Sequence, residues 1–148
     1  MNPRILVVDD SKTTRCVLSA MVSSRWTVCG EADSGTSAVR KFRELEPDLV
    51  VLDLAMPDVD GIEVGRRMHA IDPSVPIVLF TLLDLWGLEA PARNAGICRV
   101  IPKSKAWKLI ECIEEIVSRE RRKPKVQERF VVTPEGEVCT YGEDFTCG

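Results

Sequence analysis

Five short apolar runs punctuate the chain, and four of them end on a polar or charged residue. Ile5-Leu6-Val7-Val8 runs into Asp9-Asp10, and Leu49-Val50-Val51-Leu52 runs into Asp53. Val75 to Phe80 runs into Thr81, and Arg99-Val100-Ile101-Pro102 delivers Lys103. Runs with β-branched members and no polar alternation predict strands buried on both faces, as in a parallel sheet. The fifth run, Trp26-Thr27-Val28-Cys29-Gly30, is weaker. Gly30 interrupts it, which predicts a strand nearer an edge.

Between these runs the apolar spacing changes to that of helices. Ser11 is placed to cap a helix in which Val17, Leu18, Met21 and Val22 form one buried stripe. Asp33-Ser34-Gly35 introduces a second helix, with Ala38, Val39, Phe42 and Leu45 on its core face and Pro47 as its stop. Ile62, Val64, Met68 and Ile71 predict a third that ends near Asp72-Pro73. Between Leu82 and Gly96 a helix is expected, provided that Pro91 falls in its first turn. Ser104 is placed to cap the last helix, with Trp107, Leu109, Ile110, Ile113, Ile116 and Val117 facing inward. Strand and helix thus alternate five times. The pattern predicts an α/β fold: a doubly wound, five-stranded parallel sheet of flavodoxin-like strand order 2-1-3-4-5, with helices on both faces.

Composition narrows the picture further. A chain of 148 residues suits one domain with a tail, and 45% hydrophobic residues suffice for a core. The formal net charge of -3 argues against a generally nucleic-acid-binding surface. No apolar run approaches the ~20 residues of a membrane span. Met1-Asn2-Pro3-Arg4 leads straight into a strand and is not read as a secretion signal, so a cytoplasmic protein is expected. The six cysteines form no C-x-x-C pair and the single His69 has none nearby, which leaves a zinc site without support. Cys16, Cys29, Cys98 and Cys112 fall in apolar segments and are expected to be small buried thiols. For Cys139 and Cys147 pairing stays open. His69 is expected on a helix remote in sequence from the acids, at the surface or half-buried.

The strand ends carry the chemistry. They bring Asp9, Asp10, Asp53, Thr81 and Lys103 to the carboxyl edge of one sheet, where open α/β sheets bind ligands. Neighbouring carboxylates raise each other's pKa unless cations sit among them. Carboxylates with a backbone carbonyl suit Mg²⁺, which tends to accompany phosphate. A carboxylate is also a nucleophile toward a phosphoryl group, giving an acyl phosphate. Asp58 reads as a solvated turn residue near enough to tune the rate of that chemistry, and Asp60 as a residue that shapes a turn with Gly61.

The set Asp9-Asp10, Asp53-x-x-Met56-Pro57, Asp60-Gly61, Thr81 and Lys103 resembles the receiver domain of two-component response regulators, of the stand-alone chemotaxis type. The resemblance covers residues 3–120 and leaves 121–148 as a basic linker and tail. It implies that Asp53 accepts a phosphoryl group from a sensor histidine kinase or phosphotransfer protein. It implies Mg²⁺ held by Asp10 directly, by Asp9 partly through water, by Asp53 and by the Ala55 carbonyl. Thr81 would turn toward the new phosphoryl, and Lys103 would pair with it or with Asp53. The domain would then be a phospho-acceptor and not a turnover enzyme. It would signal to a downstream protein through the face of its fourth helix, fifth strand and fifth helix, with a homodimer as an option.

Three positions depart from that family. Val100 stands where an aromatic switch residue is common. Leu82 is bulky where a small residue is usual. Ser104 follows Lys103 in place of proline, which predicts a trans peptide there. These departures motivate a second reading, a phosphorylation-independent receiver-like scaffold. A third, a haloacid-dehalogenase-like phosphatase, needs a second Asp two residues after the nucleophile, where Ala55 stands. Trp86 is read either as a buried anchor or as an exposed partner contact.

In the tail, Ser118 to Lys125 is basic, either a solvated helix end or an interaction segment. Phe130-Val131-Val132 and Glu137 to Tyr141 flank Thr133-Pro134-Glu135-Gly136 and predict a hairpin. The tail is too short for a DNA-binding output domain, so direct DNA binding is not expected.

Overall fold

The structure is a computed structural model that describes residues 2–82, 87–122, 130–132 and 138–140. Five strands alternate with five helices. They are β1 Arg4–Val8, α1 Lys12–Ser23, β2 Thr27–Ala32, α2 Gly35–Leu45, β3 Leu49–Leu52, α3 Gly61–Ile71, β4 Ile77–Thr81, α4 Glu89–Asn94, β5 Arg99–Pro102 and α5 Ala106–Arg122. The strands pair in parallel in the order β2-β1-β3-β4-β5, as the sequence pattern predicted. β3 lies at the centre, and all four of its residues are buried. β2 lies at an edge, and its register against β1 shifts so that Leu6 faces Gly30.

Alternation along the strands sorts the core into two layers. Leu6, Val8, Val50, Leu52, Ile77 and Leu79 face one side, where they meet Ala38 and Phe42 of α2, Val64 and Met68 of α3, and Ala92 of α4. Ile5, Val7, Leu49 and Val51 therefore face the other side, and are equally buried. A right-handed crossover from β1 outward to β2 and another from β2 back to β3 put α1 and α2 on opposite faces. Burying one Leu- or Ile-sized side chain is worth about 1.5–3 kcal/mol, so this double layer fixes the strand order firmly.

Local chemistry sets the element ends. Ser11 Oγ accepts the Thr14 amide and caps α1; Ser34 Oγ accepts the Ser37 amide and caps α2. Pro91 is the third residue of α4, inside the first turn, where its missing amide costs nothing. Gly96, at φ 91°, follows α4 and presses on the His69 ring, so a side chain is excluded there on both counts. His69 itself is half-buried.

Five expectations are corrected. Trp107 is 59% exposed. The buried residues Leu109, Cys112 and Ile113 define the inward stripe of α5, and Trp107 stands two residues before Leu109. At about 3.6 residues per turn that is the far side of the helix. Val17 is likewise exposed, because the α1 stripe is Leu18 and Val22 alone, with Met21 at its margin. Ile71, the last residue of α3, is exposed at 38%. Cys16 and Cys98 are exposed and Cys29 is half-buried; only Cys112 of the four is buried. The Cys98 thiol nonetheless turns back to the Ile77 carbonyl at 3.2 Å, and burial raises its pKa. Ser104 does not cap α5, because it lies inside a single 3-10 turn, Lys103–Lys105, that precedes it. The Lys103–Ser104 peptide is trans, as predicted.

The chain divides into two compact units, residues 1–114 and 115–148. In the second, an Arg119–Glu115 ion pair lines the end of α5, and β6 Phe130–Val132 pairs antiparallel with β7 Val138–Thr140. Those are the two strands of the expected hairpin. Its turn, the Cys139–Cys147 pairing, Trp86 and the basic run beyond Arg122 lie outside the described residues and side chains. Among the described residues no helix is long and apolar enough to cross a membrane.

Candidate functional site

The carboxyl ends of β1, β3, β4 and β5 meet at one edge of the sheet. Asp9 follows β1 and is 1% exposed; Asp53 follows β3 and is 5% exposed; Thr81 closes β4 and is fully buried. Strand pairing accounts for this. Asp53 N–H donates to Val8 carbonyl at 3.0 Å and Asp9 N–H to Ala32 carbonyl at 3.0 Å, so the ladder continues just past the strands and holds both acids in register. Thr81 pairs with Pro102, which sets Lys103 at the same rim.

Asp9, Asp10 and Asp53 each offer a carboxylate oxygen, and the three oxygens lie within 4.8 Å of one another. Asp10 is exposed while the other two are buried. Lys103 Nζ donates to Asp9 Oδ2 at 2.7 Å and stands 3.5 Å from Asp53 Oδ1. The lysine therefore pairs more closely with Asp9 than with Asp53. Asp9 Oδ1 accepts the Ser11 amide at 2.9 Å, so both oxygens of Asp9 are already engaged. Its carbonyl accepts Nη1 of Arg15 at 2.8 Å, and Arg15 pairs in turn with Glu31.

Burial pushes the Asp53 carboxyl above its ordinary pKa, and the charges of Asp9 and Asp10 push it further. Lys103 and the Ala55 amide, which hydrogen-bonds the Asp53 carboxylate, pull the other way. Three carboxylates and one ammonium leave two negative charges in a half-enclosed site. An all-oxygen donor set with that deficit fits a divalent cation that retains water, as Mg²⁺ does. The freer oxygens belong to Asp10 and Asp53.

The loop after Asp53 is tightly built. Gly61 N–H donates to Leu54 carbonyl at 2.8 Å and closes the turn. A Cβ at Gly61 would collide with the Asp53 carbonyl oxygen, so only glycine lets α3 begin this close to the acid. Asp60 Oδ1 accepts the Glu63 amide at 2.9 Å and caps α3, which gives this turn residue a defined role. Asp58 is not merely solvated. One carboxylate oxygen accepts the Gly35 amide at 2.9 Å, and the other accepts the Thr36 amide at 3.0 Å and the Thr36 hydroxyl at 2.9 Å. These three bonds drive its pKa far below the usual carboxylate range. Neither this clasp nor the Arg15 contact was visible in the sequence, because each partner is named only by the folded chain. The one hint was Asp58 standing between Met56-Pro57 and Asp60-Gly61 in a loop whose neighbours must be held.

Of the predicted residues, the structure brings Asp9, Asp10, Asp53 and Lys103 into one cluster and sets Thr81 on the adjoining strand end. Ala55 touches the cluster through its amide.

A 2-1-3-4-5 parallel sheet with helices on both faces defines a class of protein, the flavodoxin-like α/β domains, and this one carries an acid cluster and a lysine at its carboxyl edge. A family model, the response regulator receiver domain, matches residues 5–114, and the chain belongs to that family. It is 30% identical over 118 residues to the chemotaxis protein CheY of Thermotoga maritima, covering 78% of this chain and 98% of that one. It is 40% identical over 104 residues to a protein-glutamate methylesterase/protein-glutamine glutaminase of Nocardioides, covering 68% of this chain but 28% of that longer one. Among solved structures, the response regulator domain of Thermotoga maritima CheB superposes with a TM-score of 0.72 at 29% identity, covering 78% of this chain and 96% of that one. The protein is thus a receiver domain of two-component, chemotaxis-type signalling.

Proposed function

We propose that Asp53 is the phospho-acceptor of this receiver and that the chain relays its phosphorylation state by protein contact. The observation that carries the reading is the cluster itself: three carboxylate oxygens within 4.8 Å, with an ammonium 2.7 Å from one acid and 3.5 Å from another. The donor is a phosphohistidine on a sensor kinase or phosphotransfer protein. A carboxylate oxygen of Asp53 forms the new bond to phosphorus, the phosphorus–nitrogen bond breaks, and the imidazole leaves with a proton from solvent.

The residues divide the work. Asp10 and Asp53 would offer carboxylate oxygens to Mg²⁺, with the Ala55 carbonyl as a further ligand. Asp9, with both oxygens engaged, contributes partly through water. When bound, the cation neutralises charge on the transferring oxygens. Lys103, beside Asp9 and Asp53, would supply the second positive charge. The Thr81 hydroxyl, at the next strand end, donates to a phosphoryl oxygen and carries the change into the loop that follows. No acid stands at position 55 to protonate a leaving group, so the domain holds its phosphoryl instead of turning it over as a phosphatase does. A cytoplasmic location accords with a kinase partner.

The test is incubation with Mg²⁺ and acetyl phosphate followed by intact mass. One added phosphoryl, lost in Asp53→Asn, supports the relay. No gain, with acetyl phosphate or with candidate kinases, refutes it and favours a scaffold that works without phosphorylation. Leu82, 80% exposed at the rim of the site, is the residue that reading would use.

A further inference from the structure

Asp58 ligates nothing in the site just described, yet it makes more long-range hydrogen bonds than any acid in the cluster. Its carboxylate reaches from the loop after β3 to the first turn of α2, more than twenty residues earlier in the chain. The junction is close. A Cβ on Gly35 would crowd Val59 and Val64, so α2 starts directly against this loop. The loop is pinned at three further points: Gly61 amide to Leu54 carbonyl, Asp60 to the Glu63 amide, and the Ala55 amide to the Asp53 carboxylate. Asp58 is the only one of these anchors that ties the loop to a different helix. Met56 and Val59 also pack against the core, but within residues 55–59 the hydrogen bonds that reach another helix are those of Asp58.

From this arrangement we infer that Asp58 is a positioning residue for the phospho-acceptor. It clamps the loop whose Ala55 amide orients the Asp53 carboxylate and whose Ala55 carbonyl is offered to the cation. The role rests on the function proposed above. Asp58 touches no reacting atom and acts through Ala55. It also makes the N-terminus of α2 part of the site's framework, although α2 contributes no residue to the cluster. The neighbouring charges do not explain the contact otherwise, because every partner of the Asp58 carboxylate is a neutral donor at the start of α2.

The experiment compares wild type, Asp58→Ala and Asp58→Asn in three measurements. The first is the ¹⁵N–¹H spectrum without metal, reading the Ala55 amide. Loss of the clasp weakens the Ala55–Asp53 bond, so that resonance moves upfield in Asp58→Ala while the amides of β1 hold their positions. The second is Mg²⁺ affinity by calorimetry, where Asp58→Ala is expected to bind about 10-fold more weakly, the usual scale for losing an outer-shell partner. The third is the rate of phosphorylation by acetyl phosphate, which falls in parallel. Asp58→Asn keeps an acceptor oxygen for the α2 amides and recovers part of each effect. It also serves if the alanine variant does not fold. If melting temperature falls in either variant but the Ala55 resonance, Mg²⁺ affinity and rate stay at wild-type values, Asp58 is a structural cap only and the inference is overturned. If wild type neither binds Mg²⁺ nor gains a phosphoryl, the function proposed above fails. The Ala55 resonance then still decides whether the clasp orients Asp53.

Discussion

Asp53 is a buried carboxylate that its neighbours push toward the neutral form. Burial and the charges of Asp9 and Asp10 raise its pKa in the folded chain above the unfolded value. The folded state therefore holds the Asp53 proton to higher pH than the unfolded state does. Stability contributed this way is present at low pH and is lost as pH rises from the unfolded pKa through the folded one. In chelator at neutral pH, Asp53→Asn should melt higher than wild type, and its advantage should shrink on acidification to about pH 4. A gain on the order of 1 kcal/mol would shift Tm by about 2–4 °C. A melting series across pH decides this; a lower Tm for the variant at neutral pH would contradict it. Asp58 has the opposite sign. Its pKa is depressed in the folded chain, so its contribution is full above the unfolded carboxylate pKa and fades as pH falls. The Tm difference between wild type and Asp58→Ala should narrow below about pH 4. Lys103 differs from both. Its ammonium already pairs with Asp9 and stands near Asp53, so it competes by charge with a divalent cation for the same carboxylates, and Lys103→Ala should bind Mg²⁺ at least as tightly as wild type while phosphorylating more slowly. Calorimetry and acetyl phosphate kinetics on the same sample separate the two effects.

At the scale of elements, the junction of β3 and α3 sets the site. The strand ends on a buried acid, and the helix starts on a glycine that lies against that acid's carbonyl. Gly61→Ala forces backbone apart at the phospho-acceptor, and overpacking of this kind costs about 1–3 kcal/mol. The expected result is a lower Tm by several degrees together with slower phosphorylation of Asp53. A variant of unchanged Tm would show that the junction relaxes freely. Element periodicity also explains where the sequence misled. In α5 the inward stripe is Leu109, Cys112 and Ile113, and the heavily apolar Trp107 falls off it. In α1, Val17 stands one residue from Leu18 and so about 100° round the helix. Helical spacing assigned both to the core, but each stripe is narrower than that spacing allowed, and the angle on the helix puts both in solvent.

For the whole molecule, two negative charges remain at one sheet edge after Lys103 is counted, and a bound divalent ion removes that repulsion. Anything that binds the folded state alone raises its stability with concentration. Mg²⁺ should therefore raise the Tm of wild type and have a much smaller effect on an Asp10→Ala, Asp53→Asn double variant. Equal shifts in the two proteins would place the cation elsewhere.

The alternation of apolar runs and helical stripes was enough to determine five strands and their parallel pairing, and it narrowed their order to a few choices of which the observed one fits best. Two-sided burial and crossover handedness leave few other solutions. The same pattern put Asp9, Asp10, Asp53, Thr81 and Lys103 at one edge, because each directly follows or closes a strand, and strand direction is shared in a parallel sheet. What tertiary structure alone decided are contacts between residues far apart in the chain: Lys103 on Asp9 more closely than on Asp53, Arg15 on the Asp9 carbonyl, and Asp58 on the start of α2. A side chain's position along a strand or helix is local and periodic, so it can be read in order. Which donor meets which acceptor depends on how separate elements pack, and no period in the sequence records that.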